Sequence, residues 1–345
     1  MLSYIFRRCL LAVVTTFAVS LLAFFVVLAP PGDYSDFLYS HCNQESVKWI
    51  GPVCNTIMET PEDIELVRAQ LGLDRPLLVR YWNWIYPMVT EGDFGISQRA
   101  RFFRPAIDFI LETLPPTIYL TVLTILITWT LAIPIGIYTA VRQHSVGDYV
   151  FTFLGFTGLA VPDFLLALVV MYLLYDNFEY SVGALHSGPY ETAPWSVGKV
   201  LDMIAHLLVP AAVLGTAGTA ALIRIMRNNL LDELNKPYVV SAQARGLSAW
   251  KVVLKYPLKV AINPFISSVG FILPSLISGS VILSVVMGLP TLGRLLWLSI
   301  ESEDVWLAGD IILILGVLTI IGTLISDLLL MVVDPRIKVA GREYE

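Results

Sequence analysis

The stretch TIYLTVLTILITWTLAIPIGIYTAV, Thr117–Val141, decides the fold class, because it carries no charged residue from end to end. A helix needs roughly 20 apolar residues to cross a bilayer, and this run is long enough. Working outward, five more predominantly apolar runs appear, about 9–29, 149–175, 203–223, 262–288 and 308–333, the last of them not wholly apolar because it contains Asp327. Composition agrees. The 345 residues are 56% hydrophobic and only 14% charged, with a mean hydropathy of +0.73. A soluble domain has about 25% charged residues. A strand-built barrel is excluded, since its segments alternate polar and apolar over about 10 residues. The reading is an all-α integral membrane protein with six transmembrane helices. Arg7 and Arg8 precede the first run like a signal peptide's basic flank. The run is too long for a signal core, however, and no small-x-small cleavage site precedes Pro30, so it is expected to remain as a span.

Charge sorts the two sides. Six spans place both termini together. If that side is the cytoplasm, the inside segments hold thirteen of the 22 Lys and Arg, from Arg7 and Arg8 through Arg142, Arg224 and Arg227 to Arg342. The positive-inside rule therefore predicts cytoplasmic termini. The chain then divides into a first span 1–29, an external segment 30–116, a membrane core 117–333 with an inside loop 224–261, and a tail 334–345. Cys42 and Cys54 fall in the external segment, where an oxidising compartment favours a disulfide worth about 3 kcal/mol. The alternative is two unpaired thiols. Thr60 before Pro61, Glu62 and Asp63 predicts a helix ending at Gly72. A second external helix is predicted over Leu77–Val89, with Trp82, Trp84 and Tyr86 suited to a membrane interface. In RFFRPAIDFILETLPP the apolar and charged residues separate onto two faces. This predicts an amphipathic surface helix before the second span, or a soluble helix on a small domain.

The inside loop contains YVVSAQARGLSAWKVVLKYP, Tyr238–Pro257, with three cations and no acid. Pro237 suits a helix start, Gly246 a break, and Ser248 the cap of a second helix. In that second helix Trp250, Val253 and Leu254 face one way and Lys251, Lys255 and Lys259 another. The result is a compact knob outside the membrane. Spacing alone leaves two roles open: entry into a groove on a partner protein, or contact with anionic lipid headgroups. In the membrane, Asp163 follows Pro162 in the third run. An acid there either lines a transport path or makes a structural hydrogen bond, and both readings stand. Ser284 and Met287 join Pro162 and Asp163 as candidate path residues. Asp327 is expected in a structural ion pair or polar contact. His41, His144, His186 and His206 are scattered without metal-site spacing, and no P-loop or nucleophile elbow occurs. Nothing in the chain points to nucleic acid. A stand-alone secondary transporter would show inverted repeats and broken, charged midplane helices, and no repeat is evident.

Tyr238-Val239-Val240-Ser241-Ala242-Gln243-Ala244-Arg245-Gly246-Leu247 resembles the cytoplasmic loop of ABC importer permeases of the dipeptide and oligopeptide class. Further pieces match that family in order: APPGD, LGLDRPLLVRYWNWI, GDFGIS, ETLPPTIYLTV, VPDFLLAL, PTLGRLL and DPRIKVAG. The resemblance implies a type I (MetI-like) permease bundle with an extended periplasmic segment after the first helix, in a bacterial inner membrane. It implies that the loop is a coupling helix seated in the groove of an ATPase. Ala242, Ala244 and Gly246 would give close fit, Arg245 and Lys251 would meet polar or acidic groups, and Tyr238, Ser241 and Leu247 complete the motif. The implied partners are a second permease, two ATPases that bind ATP and Mg, a periplasmic binding protein and membrane lipid. No cofactor or catalysis is expected in this chain. Val240, the Tyr256–Val260 run and Ser284 depart from the family's usual residues. The resemblance implies peptides as the substrate; these departures keep oligosaccharides, and after them nickel, as the alternative.

Overall fold

The structure, a computed structural model, describes residues 2–28, 69, 74–97, 104–179, 182–267, 281–302 and 304–333. Cys42, Cys54, the helix expected over 61–72 apart from Ala69, residues 268–280 of the fifth run and the tail 334–345 lie outside the described residues. The described elements are helices joined to one two-residue strand pair, β1 (Ile96–Ser97) against β2 (Arg104–Pro105). Four described helices are long and apolar enough to cross a membrane. They are α1 (Leu2–Leu28), α3 (Ala106–Val141), α7 (Val197–Leu234) and α12 (Val305–Val333). A fifth span results if α4 (Val146–Ala160) and α5 (Asp163–Phe178) act as one. The expected span at 262–288 falls largely on residues that are not described.

Two expectations change in detail. The third run is not one rod, because α4 and α5 meet at 103°. Pro162 has no N–H to continue the ladder, and it drives Val161 into an extended conformation (φ −88°, ψ 124°). Asp163 thereby becomes the first residue of α5, where a helix N-terminus favours a carboxylate. The expected surface helix and second span are a single continuous helix, α3. Pro115 and Pro116 remove hydrogen bonds from it without ending it. Arg104 binds Asp108 (3.2 Å) and Glu112 (2.6 Å) along its first turns.

The chain divides into two compact units: residues 1–12, 116–293 and 318–345, and residues 13–115 and 294–317. In the second unit, α2 (Leu77–Thr90) matches the expected external helix. Its Tyr81 hydroxyl lies 2.6 Å from Ser20 Oγ, and Trp84 donates its indole N–H to the buried Asp310 at 2.8 Å. Ser97 donates to the buried Asp304 at 2.7 Å, tying β1 to the start of α12.

In the first unit α7 is the hub, touching α4, α5, α8 (Pro237–Ala244) and α10 (Pro257–Ala261). Small residues permit the approach, as in other helix pairs packed in lipid. A Cβ on Gly215 would stand 2.8 Å from Thr128 Oγ1. One on Gly136, in α3, would stand 2.6 Å from Met226 Cβ. Met226 is fully buried, so it has nowhere to go. Gly136→Leu is therefore expected to cost about 3 kcal/mol and to lower the detergent melting temperature, while Gly218→Ala, with its nearest contact at 3.9 Å, changes little. Two buried threonine hydroxyls of α3 are satisfied inside the helix: Thr121 and Thr124 return to carbonyls four residues back at 2.7 and 2.8 Å.

Charges are paired. Arg8 reaches Asp327 at 2.8 Å, a close ion pair rather than an aligned hydrogen bond. Asp148, buried at the start of α4, takes both Arg227 Nε (3.1 Å) and Nη2 (3.0 Å) and the His144 N–H (3.0 Å). This fork fastens the α3–α4 turn to α7. Asp148→Ala leaves Arg227 without its partner and is expected to cost about 3 kcal/mol. Thermal unfolding of the purified variant measures it, and an unchanged melting point would reject the role.

Candidate functional site

The long helix α7 runs past its apolar stretch and ends at Leu234, and the chain then folds into three short helices. Lys236 is extended (φ −70°, ψ 146°), and Pro237 opens α8 with a preset φ at a position where no N–H is needed. α8 closes at Arg245. Gly246 follows with φ +79°, its N–H donating to the Gln243 carbonyl at 2.9 Å. A side chain is strained at that φ, which is why glycine suits the break. α9 (Ala249–Lys255) then starts. Ser248 occupies its cap position, but its hydroxyl makes no capping bond. Instead its carbonyl accepts from the Val252 N–H at 3.0 Å. The expected second helix does not run on to Lys259, because Pro257 breaks it at Tyr256 and opens α10.

This knob has its own core. Val239, Ala242 and Val252 are wholly buried together, with Tyr256 packed against them. Ala242 is thus not on the outer surface where the motif suggested. Two residues along a helix are about 200° apart, so Ala242 and Ala244 cannot face the same way, and it is Ala244 that is exposed. Val253 also turns inward, away from Trp250 and Leu254 with which the spacing grouped it. It joins Ala261 and Phe265 in a cluster with Ala132, Ile137 and Ala140 of α3 and Leu222, Met226 and Leu230 of α7. The knob is therefore bolted to two membrane helices.

Its outer face is apolar and basic. Val240 (54% exposed), Leu247, Trp250 (55%) and Leu254 are exposed on the helices and turn either side of Gly246, as are Arg245 and Lys251. No atom lies within 4 Å of where a Gly246 Cβ would be. The Ser241 hydroxyl is spent on the Pro237 carbonyl (2.9 Å) and that of Tyr238 on Glu233, so both residues shape the knob. Exposed large apolar residues interspersed with cations are a composition that protein-docking surfaces share. Val240, Trp250 and Leu254 were legible as large apolar residues in a polar loop. Their outward direction needed the packing of Val239, Val252 and Val253.

Asp163 lies beside Thr216 of α7, whose hydroxyl donates to the Val213 carbonyl at 2.8 Å. Met287 is buried in the core cluster with Leu120, Ala167 and Leu207, and Ser284 is buried too. Two histidines that looked scattered converge: His186 and His206 each bring Nδ1 within 3.5–3.6 Å of Asp202. Among the described residues no group of three or more His, Cys, Asp or Glu is placed to hold a metal ion.

A bundle of apolar helices with a packed knob beyond the longest of them fits a membrane permease subunit. The chain belongs to the family of binding-protein-dependent transport system inner membrane components, permeases of ABC importers. That family's model matches residues 132–339, and the model for the family's N-terminal part matches residues 1–121. The oligopeptide transport system permease protein AppB of Bacillus subtilis is 34% identical over 98% of this chain and 100% of its own length. The dipeptide transport system permease protein DppB of Escherichia coli K12 is 29% identical, covering 98% and 99%. The glutathione transport system permease protein GsiC of the same strain is 31% identical, also covering 98% and 99%. The protein is accordingly a multi-pass component of an inner membrane, and as a permease it is not itself the catalytic subunit.

Proposed function

We propose that this permease forms half of the path of an ATP-driven peptide importer, with a second permease as the other half. Two cytoplasmic ATPases carry the ATP and Mg, one of them seated on the knob around Gly246, and a periplasmic binding protein delivers substrate. Both termini are cytoplasmic, in keeping with the placement of Lys and Arg. Peptide is preferred over oligosaccharide or nickel because the similar permeases are named for oligopeptide, dipeptide and glutathione transport. The Pro162–Asp163 break belongs to the path, since a bent span with an acid at the bend exposes backbone only where protein or water can meet it.

One observation carries the mechanism. The exposed Val240, Leu247, Trp250 and Leu254 stand on a knob whose inner residues, Val253, Ala261 and Phe265, pack on α3 and α7. ATPase closure displaces the knob, and this packing passes the displacement to the membrane helices. Each ligand shifts the inward–outward equilibrium by its differential affinity for the two states.

The test is Trp250→Glu in the assembled transporter. A charge placed at that position is expected to reduce ATPase recovered with the affinity-purified permease at least tenfold, as loss of a central aromatic anchor does. Undiminished recovery would remove the knob as the docking site. Uptake of labelled oligopeptide, in competition with an oligosaccharide, reads the substrate class.

A further inference from the structure

Beside the docking face, where α7 gives way to the knob, lies a cleft of about 600 Å³. Glu233, Lys236, Tyr238, Lys255, Tyr256 and Lys259 line it. Three lysines thus line it with one glutamate, whose carboxylate already holds the Tyr238 hydroxyl. Lys255 is steadied over the Tyr256 ring, 5.6 Å from its centroid. Among the described residues, none of the three lysines has an ion-pair partner. Like charges held together in a concavity concentrate positive potential, and an anion entering it relieves their repulsion.

The geometry points to a phosphate group as the occupant, and we propose that this cleft is a binding site for a phosphate-bearing anion seated on Lys236, Lys255 and Lys259. Lysine binds phosphate as a point charge, and a phosphate's several acceptor oxygens can meet three ammonium groups at once, where a single carboxylate offers two. The volume exceeds one inorganic phosphate and falls in the range of small-molecule sites, leaving room for the group that carries the phosphate. Val260 supplies an apolar wall. Glu233 stands in the last turn of α7, a helix long and apolar enough to cross a membrane, so the cleft lies at the end of a span. Basic pockets at that level bind phospholipid headgroups. A soluble phosphate compound offers the same chemistry. The site does not depend on the ATPase docking proposed above, because its lysines act on the permease alone.

The full-length protein in nanodiscs separates the possibilities. In discs of equal phosphatidylglycerol and phosphatidylcholine, native mass spectrometry is expected to find phosphatidylglycerol retained on the wild type. Each lysine changed to glutamine should weaken this retention about fivefold, down to none in K236Q/K255Q/K259Q. In phosphatidylcholine-only discs, inorganic phosphate is titrated against chloride at equal ionic strength. A rise in melting temperature for the wild type, but not for the triple variant, would assign the site to a soluble phosphate. The triple arginine variant keeps the charge and should behave as wild type. Equal behaviour of wild type and glutamine variant in both arms would overturn the proposal. So would loss in the arginine variant, because the defect would then be one of folding rather than charge.

Discussion

Gly246→Trp is expected to abolish coupled transport, by at least tenfold, while the protein still inserts and purifies. Two effects combine. The indole projects from the tip of the knob, where the structure leaves open space and the proposed ATPase groove would have to fit. The backbone at φ +79° also strains any side chain, at about 1–2 kcal/mol for an L-residue. Gly246→Asn separates them, since asparagine tolerates this conformation and is small. It should retain most transport. Uptake into proteoliposomes containing the ATPases and binding protein is the measurement. Wild-type transport by the tryptophan variant would sink the coupling role.

Phe265→Ala acts at the other end of the same lever. Phe265 is completely buried, edge-on to Trp129 with ring centroids 6.3 Å apart, in the cluster that joins the knob to α3 and α7. Its neighbour Ile266 accepts a hydrogen bond from Ser326 of α12 at 2.6 Å. Removing the ring leaves a cavity at this junction, at an expected cost of about 3–5 kcal/mol. The variant should melt at a lower temperature. Where enough folded protein is recovered, ATP hydrolysis should continue with transport reduced more strongly. Phe265→Leu, which refills much of the volume, should restore most of both. Unchanged melting and transport in the alanine variant would show that the knob moves the membrane helices by some other contact.

How much was legible depended on the range over which each feature is decided. Membrane spans are local, and α1, α3, α7 and α12 lie where the apolar runs do. The break at Pro162 was half legible: proline announces a disturbance, but a 103° turn rather than a kink depends on what α4 and α5 each pack against. The junction at Pro115–Pro116 misled in the opposite sense. The residue pattern changes there while the helix does not, because hydropathy reports the surroundings and the hydrogen-bond ladder need not follow. Ala242 was misread by treating a small-residue motif as a single surface. The partner it packs on, Val252, comes from the next helix.

Residue order and chemistry alone determined that this chain is a helical membrane protein, that Gly246 ends one short helix, and that a basic knob follows the long span. These follow from transfer energies, helix period and backbone sterics, which act within about twenty residues. Tertiary structure alone decided which faces are used. Asp148 meets Arg227 across 79 residues, Trp84 meets Asp310 across 226, and the Leu292 N–H is capped by Thr117 across 175. It also turned Val253 inward onto α3 and α7 while leaving Trp250 outside, and gathered Lys236, Lys255 and Lys259 around one cleft. Such pairings are set by close packing and by the cost of leaving a buried polar group unpaired, and both are properties of the assembled fold rather than of any stretch within it.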